Sequence, residues 1–292
     1  MLMTPDKYSA VWVSHTSIAD FLQCERAYEL KHVYKDPKTN HKIKIISAPL
    51  ALGQVVHEVI ESLSILPVKD RFSKLLMDRF DELWEKVSGK RGGFYDSNNE
   101  EEYKKRGREM ISRITKNPGP IAHRAVKIQG DLPHYFLSEK DNIILCGKID
   151  WLEYLEDTDS VHIIDFKTGN NKESSNSLQL PIYLLLVENT QKRPVDKVSY
   201  WYLAKDENPI EQILPNRDQA YDTILTVAKR IKTVRKLGKF KCPGGVNGCR
   251  YCLPYESLLK GEGEFVFVDT YNTDTYILTK QPVTKKSESI IL

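Results

Sequence analysis

At 292 residues the chain can bury a substantial core, and 43 Lys and Arg against 40 Asp and Glu leave a net charge of only +3. That balance excludes a uniformly basic surface, so contact with a polyanion has to come from local patches. No apolar run approaches a membrane span, and the first 17 residues lack the apolar core and cleavage site of a secretion signal, which predicts a cytoplasmic protein in reducing surroundings.

In chain order, residues 17–34 read as a helix with a capping-box-like start at Ser17 and Asp20 and with Phe21, Cys24 and Tyr28 on one face. Leu52-Gly53-Gln54-Val55-Val56-His57-Glu58 reads as a second helix. There Val56, Val59, Ile60 and Leu63 form the apolar stripe, His57 borders it, and Gly53 removes a side chain one turn earlier, where substrate would approach. Residues 71–87 form an amphipathic helix carrying Phe72, Leu75, Leu76, Phe80, Leu83 and Trp84. Residues 89–99 are a Gly, Asn and Asp-rich loop outside the core, and 100–114 a charged helix ended by Asn117-Pro118-Gly119-Pro120. Residues 125–137 and 143–155 read as paired strands, 161–167 as a third and 198–204 as a fourth. Residues 219–236 make the last long helix, and 264–278, with Phe265, Phe267, Tyr271, Tyr276 and Ile277, a terminal hairpin. The tail from Lys280 is polar, and no internal repeat is present. Basic runs fall at Lys35 to Lys44, Lys104 to Arg108 and Lys229 to Lys241; such runs are usually solvated faces, and the third is the best placed to meet phosphate.

The densest chemistry lies between Ile143 and Tyr183. Gly147-Lys148-Ile149-Asp150 ends one strand, and Val161-His162-Ile163-Ile164-Asp165-Phe166-Lys167 forms the next. Alternation puts Asp165 and Lys167 on one face and Ile164 and Phe166 on the other. Two carboxylates on neighbouring strands can hold a hard divalent cation, and the lysine beside them can orient or deprotonate a water, which is what phosphodiester hydrolysis needs. A buried strand with Asp165 and Lys167 as a rim ion pair is the plain alternative. Gln179 and Tyr183, at i and i+4, share a side of the following helix, with Pro181 in its first turn.

Cys242, Cys249 and Cys252 sit in a glycine-rich turn, Cys242-Pro-Gly-Gly-Val-Asn-Gly-Cys249-Arg-Tyr-Cys252, and Cys24 is the natural fourth thiol. Cys146 reads as a small buried thiol on the Asp150 face, outside this group.

With His57, Gly147 to Asp150, Asp165-Phe166-Lys167 and Gln179 to Tyr183 in this order, the chain resembles the PD-(D/E)XK nucleases, specifically the RecB-like branch, over roughly residues 14–252. The resemblance implies a Mg²⁺ or Mn²⁺ site with His57, Asp150, Asp165 and the Phe166 carbonyl as ligands, Lys167 positioning the nucleophilic water, and Gln179 with Tyr183 supporting the site or the DNA strand. An imidazole ligand tilts the choice toward manganese. A cysteine far upstream joining three near the end is also the arrangement of CRISPR-associated adaptation nucleases and AddB-type helicase–nucleases, which implies a [4Fe-4S] cluster on Cys24, Cys242, Cys249 and Cys252. The spacing departs from that pattern: six residues and then two separate the last three cysteines here, against two and then five, and Leu258 stands where the last would fall. Four thiolates equally suit a structural zinc, and a disulfide is the weakest reading.

The expectation is therefore an α/β protein: a restriction-endonuclease-like mixed sheet with a helical N-terminal region and a cysteine-ligated C-terminal staple. Its nuclease domain spans 1–258 (helical region about 14–120, catalytic core about 125–205, cysteine turn 242–252), followed by a hairpin and tail over 259–292. The expected function is a metal-dependent DNA exonuclease on single-stranded or frayed ends in DNA repair, recombination or CRISPR adaptation, with a helicase or CRISPR-adaptation protein as partner and no membrane. An inactive DNA- or helicase-binding module of the same fold, and more weakly an RNA-directed nuclease, are the alternatives.

Overall fold

A computed structural model describes residues 6–130 and 132–279; the polar tail read from Lys280 lies outside the described residues. The elements run β1 (Val11–Val13), α1 (His15–Gln23), α2 (Glu25–Tyr28), β2 (Lys42–Ile45), α3 (Ala48–Leu63), α4 (Leu76–Trp84), α5 (Ser97–Lys116), β3 (His134–Ser138), β4 (Ile143–Cys146), β5 (Trp151–Leu155), β6 (Ser160–Lys167), α6 (Gln179–Thr190), β7 (Val195–Tyr202), β8 (Ile210–Gln212), α7 (Arg217–Leu237), α8 (Leu253–Leu259), β9 (Gly263–Val268) and β10 (Thr273–Leu278). They divide into two compact units, one drawn from Met1–Ala19 and Ser47–Lys239, the other from Asp20–Ile46 and Phe240–Leu292. The boundary expected after residue 258 falls within α8, inside the second unit.

The first unit carries two sheets. Val161, Ile163, Ile164 and Phe166 are strand-forming residues, and they place β6 at the centre of the order β5-β6-β7-β8, antiparallel to β5 and parallel to β7. The β5–β6 hairpin turns at Asp159, which takes the positive φ of 47° that Asp tolerates. The other sheet has the order β1-β4-β3. One face of β6 is lined by Ile164 and Phe166, which join Trp151, Trp201 and the apolar stripes of α3, α4 and α5 in a single core. The α3 stripe, Ala48, Ala51, Leu52, Val55, Val56, Val59, Ile60 and Leu63, follows helical periodicity, and each large member contributes about 1.5–3 kcal/mol on burial. With that face filled, Asp165 and Lys167 are left to the opposite face, toward α6.

Several expectations change. The first helix begins at His15: Ser14 N–H donates to Ser17 Oγ at 2.8 Å and Ser17 N–H to Ser14 Oγ at 3.3 Å, so the reciprocal cap is Ser14 with Ser17 and not Ser17 with Asp20. That helix stops at Gln23 because Cys24 is extended (φ −165°) and caps α2, its Sγ accepting from Ala27 N–H. The strand read over 143–155 is two strands in different sheets, broken at Gly147 to Asp150. Among the described residues of 125–133, Ala125 bridges Glu153 before β3 starts, and Gly130 (φ 90°) and Pro133 interrupt the run. Within 89–99, Phe94 is buried and packs 5.7 Å from the Trp84 ring, so that loop anchors in the core.

The helix expected from Arg71 starts at Leu76 instead. The buried Arg71 guanidinium donates to the Ile121 carbonyl (2.6 Å) and the His123 carbonyl and lies 5.0 Å from the centre of the Trp151 ring. Its Nε also donates to the Leu66 carbonyl at 3.2 Å, so Arg71→Ala should cost about 2–4 kcal/mol, from three carbonyls that lose a donor and from lost stacking, read as a lower urea midpoint with unchanged slope.

In the second unit, β10 pairs parallel with β2 (Asp274 opposite Ile43) and antiparallel with β9, so the expected hairpin gains a strand from more than two hundred residues upstream. The buried Asp274 carboxylate receives Thr39 Oγ1 and His41 Nδ1, each at 2.7 Å, fixing that register.

Candidate functional site

The β5–β6 register sets Trp151 opposite Ile164, which brings Asp150, the residue just before β5, beside Asp165. Asp150 Oδ2 accepts the Phe166 N–H at 2.9 Å, leaving Oδ1 facing His57 Nδ1 at 3.2 Å. His57 comes from α3 and Glu61 from one turn further along the same helix; one ligand atom from each of His57, Glu61 and Asp150 lies within 4.8 Å of the others. Glu61, held by Lys148, was not picked out in the sequence, although its i+4 spacing from His57 is the signal that would have found it.

Asp165 stands next to this trio, with different partners. Its Oδ1 accepts from Gln179 Nε2 at 2.6 Å. Its Oδ2 is buried and accepts no hydrogen bond, facing Lys167 Nζ at 3.0 Å outside hydrogen-bond geometry. Gln179 Nε2 also lies 3.2 Å from Tyr183 Oη, and Lys167 donates to Gln179 Oε1, so the two α6 residues brace the acid and the ammonium together. Lys167 has a further partner missed in the sequence, Glu173 Oε2 at 3.0 Å; a glutamate in a polar turn carries no pattern that marks it.

Gly147 allows α6 this close, because a Cβ there would sit 2.9 Å from Leu186 Cδ1. At Gly53 a Cβ would meet Thr168 Oγ1 at 3.4 Å, an ordinary contact, which places this turn of α3 beside the end of β6. Phe166 points its ring into the core and offers its backbone to the site side, as alternation requires.

The electrostatics follow from this crowding. Burial, then the neighbouring Asp150 charge, push the Asp165 carboxyl up to about 7 against the pull of Lys167 and His57. Burial disfavours the His57 cation, but Asp150, Asp165 and Glu61 outweigh it and raise His57 to about 9. Burial likewise opposes charge on Lys167, and Asp165 and Glu173 overcome it, so its pKa is raised and the ammonium persists. Several carboxylates gathered around a buried Asp165 oxygen, whose ion-pair partner is the Lys167 ammonium, suit a hard divalent cation, and the imidazole adds a borderline donor.

Residues 12–257 match the family model of the PD-(D/E)XK nuclease superfamily. The chain belongs to this superfamily. Its mixed sheets and flanking helices are those of a restriction-endonuclease-like fold. No curated protein matches the chain. Among solved structures it is similar to a crystal structure from Eubacterium rectale described as a "Putative exonuclease", at 14% identity and TM-score 0.48, with 87% of this chain and 93% of that chain covered. None of the helices among the described residues is long and apolar enough to cross a membrane.

In the second unit, the Sγ atoms of Cys24, Cys242, Cys249 and Cys252 all lie within 4.8 Å of one another, with Cys24 supplied by the N-terminus of α2 and the others by the glycine-rich turn and the start of α8. Cys146 belongs to the first unit. It ends β4 with its Sγ 3.5 Å from the Val13 carbonyl, and the strand break after it removes the shared face with Asp150 expected from alternation. Of the third basic run, Lys229 and Lys232 engage the side chain and the carbonyl of Asp141, which draws them away from a free phosphate-binding face.

Proposed function

We propose that this nuclease is a metal-dependent deoxyribonuclease of the RecB-like branch, an exonuclease on single-stranded or frayed ends serving DNA repair, recombination or CRISPR adaptation. The observation that carries the reading is the convergence of Asp150, Asp165 and Lys167 at one end of the β5–β6 pair, with a buried Asp165 oxygen that accepts no hydrogen bond. His57, Asp150, Asp165 and the Phe166 carbonyl would hold Mg²⁺ or Mn²⁺, and Glu61 is placed to join them. When bound, the cation supplies Lewis-acid stabilisation of the developing phosphoryl charge and acidifies a water.

The chain's own residues do the rest. Lys167, kept charged by Asp165 and Glu173, donates hydrogen bonds and so orients a water or a phosphate oxygen instead of removing a proton. Gln179 and Tyr183 fix the Asp165 rotamer. By the family resemblance the products are a 5′-phosphate and a 3′-hydroxyl, the domain reaches residue 258, and the partner class is a helicase or a CRISPR-adaptation protein. The four cysteines form one structural metal centre, for which the resemblance favours [4Fe-4S].

The titrations give a direct test. A ligand must shed its proton, and in the metal-free protein His57 holds one up to about pH 9. Mn²⁺ affinity should thus rise by roughly tenfold per pH unit between 7 and 9, with a proton released on binding, measured by calorimetry in buffers of different ionisation heat. Affinity flat across that range would return His57 to a packing role.

A further inference from the structure

Deepening the reading of the cysteine centre just given, we propose that Cys24, Cys242, Cys249 and Cys252 bind a single tetrahedral zinc ion and not an iron–sulfur cluster. The sulfur spacing decides between them. A zinc ion with bonds of about 2.3 Å sets the corners of its tetrahedron about 3.8 Å apart. Cys242 and Cys252 Sγ are 3.6 Å apart, Cys252 and Cys249 Sγ 3.9 Å, and no pair among the four exceeds 4.8 Å. A [4Fe-4S] core places an iron between each thiolate and the common centre and gives each thiolate its own iron. That spreads the sulfurs well beyond the single-ion tetrahedron, and the space enclosed here does not fit it.

The local backbone agrees. Cys249-Arg250-Tyr251-Cys252 is a tight knuckle in which Cys252 N–H donates to the Cys249 carbonyl at 3.1 Å and Cys249 N–H lies 3.2 Å from Cys252 Sγ. Gly244 N–H reaches Cys242 Sγ at 3.3 Å, and Ala27 N–H reaches Cys24 Sγ at 3.4 Å. Such donors offset thiolate charge and fix the sulfurs toward one point. Around them pack Ala27, Leu30, Tyr251 and Tyr255, which cover the sulfurs with apolar and aromatic surface. The departure in cysteine spacing, with Leu258 buried where another cysteine would stand, then belongs to a change of metal.

The test uses the full chain, purified anaerobically from cells given both iron and zinc. The expected result is colourless protein with about one zinc per chain that survives brief chelator washing, and, after exchange with Co²⁺, an intense sulfur-to-cobalt band with tetrahedral ligand-field absorption. No thiol lies in the His57 site, so that band reports the cysteine centre alone, and Cys249→Ser should weaken it while Cys146→Ser leaves it unchanged. Brown protein with about four irons, or a full chain that takes up neither zinc nor cobalt on sulfur, would overturn the proposal. The readout is independent of cleavage, so failure here leaves the nuclease reading standing, and an inactive protein with the cobalt band would leave the zinc standing.

Discussion

Asp165→Ala is expected to lower DNA cleavage by on the order of 10³-fold or more, because it removes the buried carboxylate at the centre of the site and the several kcal/mol of charge stabilisation that depend on a correctly held cation. Asp150→Ala should do the same, since its Oδ2 also anchors the Phe166 N–H and its Oδ1 faces His57. Lys167→Ala should be as damaging to turnover while sparing Mn²⁺ binding, because an ammonium does not ligate a cation. Steady-state rates, metal calorimetry and circular dichroism on the three variants separate these effects. The conservative Asp165→Asn carries a second signature. In the folded metal-free protein the Asp165 carboxyl is raised from 3.8 to about 7, so the fold binds its proton more tightly than the unfolded chain does. Its contribution to stability is therefore greatest below 3.8 and declines as pH rises through 7. With chelator present, Asp165→Asn should be more stable than wild type at pH 8, and the difference should vanish toward pH 4: a site kept at a cost in stability.

The second large effect concerns the thiols. Loss of any one of Cys24, Cys242, Cys249 or Cys252 should destabilise the protein by several kcal/mol, because the free energy of metal binding becomes folding free energy. Cys24 and Cys252 are both buried in a small apolar cluster, so a serine there loses the metal and leaves a polar hydroxyl in place of a packed thiol. Cys146→Ser should cost about 1 kcal/mol, because the Val13 carbonyl to which its thiol donates can accept equally from a hydroxyl. Thermal unfolding of the five serine variants, with and without added zinc, should show four low midpoints insensitive to zinc and one near wild type.

Much of the site could be read from the chain before its structure. The alternation in Ile163-Ile164-Asp165-Phe166-Lys167 puts acid and ammonium on one face, and the i, i+4 spacing puts Gln179 and Tyr183 on one side of α6, the side that meets them. What escaped was governed by tertiary context. Ile149 continues the apolar run after Gly147, so nothing local announces that the chain leaves one sheet and enters another there. Glu173 becomes a site residue only because its turn folds back on Lys167, and Glu61 only because α3 lies along the open end of β5 and β6. The parallel pairing of β2 with β10 joins residues 42–45 to 273–276, a separation at which sequence pattern carries no register. Phe94 is a single apolar anchor in a glycine-rich stretch, and composition alone hides it.

Digestion of end-labelled single- and double-stranded DNA, with matched RNA, by the full chain in Mn²⁺ or Mg²⁺, with and without chelator and alongside Asp165→Asn, tests the nuclease site most directly. The expected result is progressive loss of label from single-stranded or frayed DNA ends, abolished by chelator and by the substitution. Cleavage that persists in Asp165→Asn, preference for the RNA, or wild-type protein that binds DNA and Mn²⁺ without cutting, would contradict it.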